Sequence, residues 1–270
     1  MPAYARPTRI DDALKLLARG GRTVLAGGTD FYPARVGKPL DEDVLDVSAI
    51  SQLKGISENA DHWRIGAATT WTDVIEAKLP PLFDCLKLAA REVGGWQIQN
   101  AGTVAGNVCN ASPAADGVPA LLALGAQVEC AREDGSRVVP LDQFVIGPRQ
   151  TALETGELVT AILVPRPKHP AASHFLKLGA RKYLVISIAM AAAVIEREKG
   201  VVTAARIAIG ACSPVAKRLP ELEKDLVRGD FRVRPEHLAP LSPIDDVRGS
   251  AEYRREAALV LAQRVLDHLR

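Results

Sequence analysis

The chain has 270 residues, 47% of them hydrophobic and 24% charged, and its 34 basic and 32 acidic side chains leave a formal net charge of +2. This composition supports a packed core, and the length favours about two domains. The small net charge argues against a nucleic-acid partner. No apolar run reaches the roughly 18 residues of a membrane span, and MPAYARPTRI at the start lacks an apolar signal segment. The sequence therefore predicts a cytoplasmic protein without a membrane span.

Cysteine and histidine are scattered along the chain. The four cysteines form no C-x-x-C pair and the five histidines form no H-E-x-x-H motif, whereas iron–sulfur and structural zinc sites usually draw on closely spaced ligands. The sequence therefore predicts no metal site, and each cysteine is expected to be a small buried hydrophobe. The cysteines are Cys85, Cys109, Cys130 and Cys212.

The first 55 residues predict a small α/β lobe. A helix is expected over the first 20 residues, capped by Thr8 and ended by Gly20 and Gly21. Short β-branched and apolar runs at 23–26 and 44–47 predict two strands.

Residues 56–165 predict a second, larger set of elements. Between residues 94 and 119 the chain is dominated by Gly, Asn, Ala, Ser, Thr and Pro, which predicts a long loop. A loop of that length inside a compact domain is usually functional. The elements around it are a strand at 63–67, helices at 71–79, 82–93 and 120–124, a hairpin of 126–131 with 137–139, and a strand at 158–164.

Residues 166–170, RPKHP, are the best candidate for a linker, because proline prevents regular pairing. Beyond it, residues 183–195 are ambiguous, since the alanines favour a helix and the β-branched residues favour a strand. Residues 201–209 alternate as a strand does, so an antiparallel hairpin is favoured. A helix over 250–270 closes the chain, with an apolar stripe along one face.

The first of two glycine-rich segments is VLAGGTDF at 24–31. It predicts a strand that opens into a turn at Gly27 and Gly28. Paired glycines let backbone N–H groups approach a ligand closely, and Thr29 adds a hydroxyl. This combination suits a pyrophosphate.

The second segment, QNAGTVAGN at 99–107, is again rich in small, amide and hydroxyl residues, and Asp116 follows ten residues after Gly106. A carboxylate there can accept hydrogen bonds from ribityl or ribose hydroxyls. Neither segment matches the Rossmann fingerprint or a P-loop, and the chain has no G-x-S-x-G nucleophile elbow. The residues alone predict an α/β protein that binds an anionic, nucleotide-like cofactor.

The two segments and their neighbours, taken in order, resemble the FAD-binding medium subunit of the molybdenum hydroxylases. That family contains xanthine dehydrogenase, carbon monoxide dehydrogenase and aldehyde oxidase. The similarity covers nearly the whole chain. The matching segments are AGGTD at 26–30, RIGAATTWTDV at 64–74, QNAGTVAGNVCNASPAADGVPALLALGAQV at 99–128, ELVTAILVP at 157–165, FLKLGARKYLVISIAMAAAV at 175–194, RIAIGACSPVAKR at 206–218 and SAEYRREAALVLAQRVL at 250–266.

The resemblance implies an α+β fold in two domains. A two-lobed FAD-binding domain of the vanillyl-alcohol-oxidase/PCMH-like type is expected at 1–165, with a small lobe at about 1–55 and a larger lobe at about 56–165. A smaller C-terminal α+β domain, with an antiparallel sheet and helices, is expected at 171–270.

The resemblance also implies the cofactor-binding residues. One group holds the FAD pyrophosphate, a second closes over the cofactor from the other side, and a third lies near the flavin ring. On the usual exposure of lysine alone, Lys177 would be placed on the surface. The groups are Ala26, Gly27, Gly28, Thr29, Asp30 and Phe31; Thr103, Val104, Ala105, Gly106 and Asn107 with the acidic Asp116; and Val159, Thr160 and Lys177.

Three positions depart from the family pattern. Ala105 stands where the family often has glycine, Gln99 replaces a common arginine, and Val185 replaces an acidic residue. Each bears on contacts with the cofactor. No cysteine-rich insertion follows the second segment, so no additional iron–sulfur cluster is expected in this chain.

The function implied by the resemblance is electron relay. A large subunit would carry the molybdenum cofactor, a small subunit two [2Fe–2S] clusters, and this chain FAD, in a dimer of heterotrimers. Electrons would leave FAD for NAD⁺, oxygen, a quinone or another small acceptor, and no side chain here need be catalytic. Two alternatives remain open: a free-standing FAD-dependent NAD(P)H reductase, and a flavin-free assembly protein of the same fold.

Overall fold

The computed structural model of the chain describes residues 2–270. It begins with a small parallel sheet covered by one helix. The strands are in the order β1-β3-β2, and the helix α1 buries Ala13, Leu14 and Leu17 against the core. The elements are β1 (Tyr4–Ala5), α1 (Ile10–Ala18), β2 (Arg22–Leu25) and β3 (Asp43–Asp46).

The start of α1 differs from the sequence prediction. Arg9 is the N-cap residue, with extended backbone, and no side chain caps the helix. Thr8 lies one residue further out, so the prediction that it caps the helix is wrong. A helix over all of the first 20 residues is also wrong, because Tyr4–Ala5 pairs with β3 instead.

The second sheet has five antiparallel strands in the order β4-β5-β10-β6-β7. Its central strand, β10, is buried over seven of its eight residues. The short strands β8 and β9 form a separate two-stranded ribbon. The strands are β4 (Ile56–Glu58), β5 (His62–Gly66), β6 (Gln127–Arg132), β7 (Gly135–Pro140), β8 (Val145–Gly147), β9 (Gln150–Thr151) and β10 (Leu158–Pro165).

Helices occupy most of the sequence between β5 and β6. The single long loop expected at 94–119 is wrong, because α4, α5 and the start of α6 lie within it. Thr103 caps α5 by accepting a hydrogen bond from the Gly106 N–H at 3.0 Å. Threonine at this position is a typical start of a helix, but the neighbouring glycines obscured it in the sequence. The helices are α2 (Trp71–Glu76), α3 (Asp84–Glu92), α4 (Trp96–Ala101), α5 (Val104–Asn110), α6 (Gly117–Ala123) and the short α7 (Leu141–Phe144) after β7.

The C-terminal part is a four-stranded antiparallel sheet in the order β11-β12-β13-β14. The predicted hairpin is confirmed as β12 with β13, although its first strand starts at Ala189. The closing helix is confirmed as α9, and β11 and α8 were not predicted. The elements are β11 (Ala171–Leu178), β12 (Ala189–Glu198), β13 (Val201–Gly210), β14 (Lys217–Arg218), α8 (Pro220–Val227) and α9 (Ala251–His268).

Both faces of β12 are buried, which explains its alanine-rich sequence. Ala191, Ala193 and Ile195 pack into a core with α8 and α9, whereas Ala192 and Val194 belong to the core that contains α3 and α6. Small side chains let helices approach a sheet closely from both sides. A strand buried on both faces shows no apolar/polar alternation, which is why this segment was ambiguous in sequence.

Within residues 2–270, no helix combines the length and the apolar character needed to cross a bilayer.

Two histidines stack where β11 meets α9. The rings of His174 and His268 lie 4.1 Å apart at 9°, and the buried Nε2 of His174 has no hydrogen-bond partner in the described chain. Burial, and then repulsion by His268, lowers the pKa of His174, while Asp84 opposes the shift.

We expect the free energy of unfolding to fall as the pH drops below neutrality, and to fall less steeply in His174→Phe than in the wild type. Because the pKa of His174 is lower in the folded chain than its ordinary value of about 6.5, its stability contribution is present above that value and is lost as pH falls. Urea unfolding between about pH 7.5 and about pH 5.5 measures this. An equal decline in both proteins would exclude His174 as the responsible group.

Candidate cofactor site

The first glycine segment forms a tight turn directly after β2. Gly28 has a φ of +71°, in the left-handed region that glycine adopts without strain. Throughout residues 2–270, the backbone N–H groups of Gly27, Gly28 and Thr29 find no acceptor in the chain. The three residues are half-buried. The turn therefore presents free donors at a partly open surface, as anion-binding turns do.

The second segment is held in place by the turn before α2. The Val104 N–H donates to the Thr69 carbonyl at 3.0 Å, and the Trp71 N–H donates to the Gly102 carbonyl at 3.1 Å. Trp71 itself is 1% exposed. The RIGAATTWTDV segment therefore supports the second glycine segment from behind.

Two polar groups of the second segment are without partners. The Ala105 N–H, in the first turn of α5, makes no hydrogen bond within the described part of the chain. The buried Oδ1 of Asn107 also lacks a partner there. A buried acceptor normally has a donor, so a bound group with hydroxyl donors, such as a ribityl chain, would fit this position.

The structure brings the two glycine segments into backbone contact. A Cβ atom added to Gly27 would overlap the Ala101 carbonyl oxygen, and one added to Gly102 would lie 3.2 Å from the Thr29 Oγ1 atom. Glycine is needed here for close approach. Gly27 and Thr29 therefore lie beside Ala101 and Gly102, which directly precede the predicted residues from Thr103 to Asn107. Phe31 instead packs under the Arg35 guanidinium, 3.8 Å from its ring centre.

Asp116 and Lys177 form a buried ion pair between α6 and β11. Their charged atoms are 3.0 Å apart, and the side chains are 12% and 4% exposed, respectively. Lys177 also donates to the Glu92 carbonyl at 3.1 Å, and the Ser187 hydroxyl donates to Asp116 at 2.6 Å. The surface position expected from lysine's usual exposure is therefore wrong. An ammonium has three N–H donors, so one remains for a ligand.

Burial dominates the electrostatics of this pair. It raises the pKa of Asp116, and the ammonium of Lys177 and the hydroxyl of Ser187 oppose the shift. Burial also raises the pKa of Glu92, and Lys177 opposes this shift as well. Sequence reasoning missed Ser187 and Glu92, because neither lies in a glycine segment and only the fold brings them to Asp116 and Lys177.

Val159 and Thr160 lie at a bulge of β10. They are 4% and 2% exposed, and the Thr160 hydroxyl donates to the Glu129 carboxylate at 2.5 Å. The structure thus places both side chains inside the sheet, behind α5, and brings neither to the open surface of the glycine segments.

The three departures from the family pattern are accommodated locally. Ala105 is 3% exposed, and its methyl group joins the core beneath α5. The Gln99 side chain donates to the Arg91 carbonyl at 3.1 Å. Val185 folds over Gly179, in close contact with it.

Comparison with known proteins identifies the family to which the chain belongs. Residues 1–167 match the family described as FAD binding domain in molybdopterin dehydrogenase. Residues 174–269 match the CO dehydrogenase flavoprotein C-terminal domain. The chain therefore belongs to the FAD-binding medium subunits of the molybdopterin dehydrogenases, the family that includes xanthine and carbon monoxide dehydrogenase. It is an oxidoreductase subunit that binds FAD, and the predicted α+β fold is confirmed.

Individual relatives are similar over almost their whole length. The carbon monoxide dehydrogenase medium chain of Afipia carboxidovorans is 34% identical, over 98% of this chain and 95% of the relative. The xanthine dehydrogenase FAD-binding subunit of Escherichia coli O157:H7 is 29% identical, over 98% and 94%.

Two solved structures have the same fold. A chain of reconstituted CO dehydrogenase from Oligotropha carboxidovorans has a TM-score of 0.89 at 31% identity, covering 99% of this chain and 96% of that one. A chain of quinoline 2-oxidoreductase from Pseudomonas putida 86 has a TM-score of 0.88 at 25% identity, with the same coverage.

We expect Gly27→Ala to separate the two glycine segments, because the new methyl group would overlap the Ala101 carbonyl oxygen. Forcing a methyl group into such a contact costs about 1–3 kcal/mol, and FAD affinity should fall with it. The matched control is Gly135→Ala, where no atom lies within 4 Å of the added Cβ. Thermal unfolding and FAD titration measure both effects. Equal behaviour of the two variants would contradict the contact.

We expect Lys177→Met to cost about 3–5 kcal/mol of unfolding free energy, because it leaves the Asp116 carboxylate buried without its cation. The pKa of Asp116 would then rise further. A group with a raised folded pKa loses its stability contribution as pH rises through that pKa, so the deficit should shrink on acidification.

Urea unfolding at about pH 8 and about pH 5 tests this expectation. The double variant Lys177→Met/Asp116→Asn should be less destabilised than Lys177→Met alone, since no buried charge remains. A deficit that is independent of pH and of Asp116 would refute the buried ion pair.

Proposed function

We propose that this chain is the electron-transfer subunit of a multi-subunit molybdenum hydroxylase. The observation that carries the proposal is the contact between two glycine segments with free N–H donors, beside a buried lysine–aspartate pair. Flavin, when bound, accepts electrons singly or as a pair, which suits a relay between one-electron centres and a two-electron acceptor. The acceptor is proposed to be NAD⁺, oxygen or a quinone.

The proposed roles of this chain's residues follow from their free polar groups. The amides of Gly27, Gly28 and Thr29 would bind the pyrophosphate from one side, and the Ala105 amide would bind it from the other. The orphaned Asn107 oxygen would accept a hydrogen bond from the cofactor's hydroxyls.

Near the flavin ring, the remaining N–H of Lys177 would donate to a ring acceptor, with Asp116 holding the ammonium in place. Val159 and Thr160 would support the site from behind α5. No side chain is required to transfer a proton.

The cysteines support a separate source of electrons. The four cysteines lie apart in the sequence and form no C-x-x-C pair, whereas iron–sulfur clusters usually draw on closely spaced cysteine ligands. The described residues contain no group of three or more His, Cys, Asp or Glu side chains placed to hold a metal ion. We therefore assign the two [2Fe–2S] clusters to a small partner subunit and the molybdenum cofactor to a large one. The resemblance to the family further suggests the proposal that the complex is a dimer of heterotrimers.

The two regions of the chain are proposed to be separate domains, with the boundary at the proline-rich residues 166–170. Domain 1–165 would hold the pyrophosphate, and domain 171–270 would supply Lys177 to the site.

The first test is the visible spectrum of the purified chain, with mass analysis of any ligand released on denaturation. We expect a flavin spectrum and released FAD. A colourless protein that also fails to take up added FAD would overturn the relay and favour a flavin-free assembly protein.

Gly28→Ala tests the position of the pyrophosphate. A side chain at a φ of +71° is strained and would meet the Tyr32 ring, so FAD affinity should fall at least about tenfold, or 1.4 kcal/mol. Gly200→Ala is the matched control, with a φ of +86° and open space around it. Full FAD occupancy in Gly28→Ala would show that the pyrophosphate binds elsewhere.

Size-exclusion chromatography of the native protein separates relay from free-standing reductase. Co-elution with one larger and one smaller polypeptide supports the relay. A chain that elutes at its own mass of 28.9 kDa and oxidises NADH unaided would instead be a free-standing reductase.

A further inference from the structure

One arginine that no sequence motif singled out touches both sides of the candidate site. Arg149 lies in the turn between β8 and β9, with a left-handed φ of +59°. Its Nη1 donates to the Asp30 carboxylate at 3.0 Å and to the Asn110 carbonyl at 3.4 Å, and it also contacts the Asn110 side-chain oxygen. Its backbone N–H donates to the Ala111 carbonyl at 2.9 Å.

These contacts join the ends of the two glycine segments. Asp30 directly follows the free amides of Gly27, Gly28 and Thr29. Asn110 ends α5, the helix that begins at the second glycine segment. One guanidinium therefore bridges the first segment and the far end of the helix that carries the second.

Stability of the fold does not explain this arrangement. The left-handed backbone of Arg149 belongs to the two-residue turn between β8 and β9, where a positive φ is usual. The side chains of Arg149 and Asp30 are 57% and 51% exposed, and exposed ion pairs contribute little to stability. The contacts of the Arg149 guanidinium with Asp30 and Asn110 therefore add little to stability, and they are better explained by a role at the site that they join.

The charge of Asp30 indicates what that function is. Its carboxylate belongs to the segment whose free amides are proposed to bind the pyrophosphate, and an unpaired carboxylate there would repel that group. We propose that Arg149 is a positioning residue for the FAD site: it fixes the first glycine segment relative to α5 and neutralises Asp30. This inference rests on the proposed function and deepens it.

The test is the affinity of the flavin-free full chain for FAD, measured by titration at low and at high salt. We expect Arg149→Gln to weaken FAD binding about tenfold at low salt, with thermal stability close to wild type. The loss should be smaller at high salt, because salt screens the repulsion between the unpaired Asp30 carboxylate and the pyrophosphate. Arg149→Lys should restore much of the affinity, because it keeps the charge. The matched control, Arg132→Gln, removes a cation whose side chain is 51% exposed and should bind FAD as the wild type does.

A double variant separates charge from general damage. If Arg149 neutralises Asp30, adding Asp30→Asn to Arg149→Gln should recover affinity, whereas unrelated damage would add to the loss. FAD binding by Arg149→Gln within twofold of wild type would overturn the inference. Equal losses of FAD affinity in Arg149→Gln and Arg149→Lys, with both variants folded, would also overturn it.

Measurements on the unmodified chain separate the positioning role of Arg149 from the proposed function. If it binds FAD and Arg149→Gln binds equally well, the positioning role is wrong and the proposed function stands. If the unmodified chain binds no FAD under any condition, the proposed function is wrong, and this inference is wrong with it.

Discussion

The arrangement of the molecule depends on the burial of β12 on both faces. One face carries Ala191 and Ala193 into the core formed with α8 and α9, and the other carries Ala192 and Val194 into the core formed with α3 and α6. Because protein interiors are close-packed, a larger side chain on either face would push a helix away. This single strand therefore fixes the C-terminal sheet against the helices of the FAD-binding region.

That packing completes the candidate site from two regions of the chain. Lys177 lies on β11, next to β12 in the same sheet, and Asp116 immediately precedes α6, which packs on that sheet. The pair forms only when sheet and helix are docked, and its burial makes it costly to break. A local change in the C-terminal sheet should therefore shift Lys177 relative to Asp116 and alter the proposed flavin-ring site, although the glycine segments lie in the other region.

The glycine segments obey a complementary constraint. Their backbones are in contact at Gly27 and Ala101. This contact fixes the distance between the free N–H groups of the first segment and those of the second. Arg149 closes the same arrangement at its other end, through Asp30 and Asn110. Contacts at both ends preorganise the donors, which lowers the ordering cost when a ligand binds. The family matches agree with this arrangement, because residues 1–167, which contain both glycine segments, match an FAD-binding domain, and residues 174–269 match the C-terminal domain of the same proteins.

Local sequence determined the features whose cause is local: the Gly27–Gly28 turn after a strand, the hairpin around residues 198–200, the closing amphipathic helix and the family motifs themselves. Tertiary structure decided the rest. The capping signal of Thr103 was hidden among glycines, so α4 and α5 were expected to be loop. Lys177 is buried because Asp116, 61 residues away in sequence, supplies its counter-charge. Arg149 reaches Asp30 across 119 residues. Hydrogen bonds within a turn or a helix are encoded by neighbouring residues, whereas the pairing of distant charges exists only after the chain has packed.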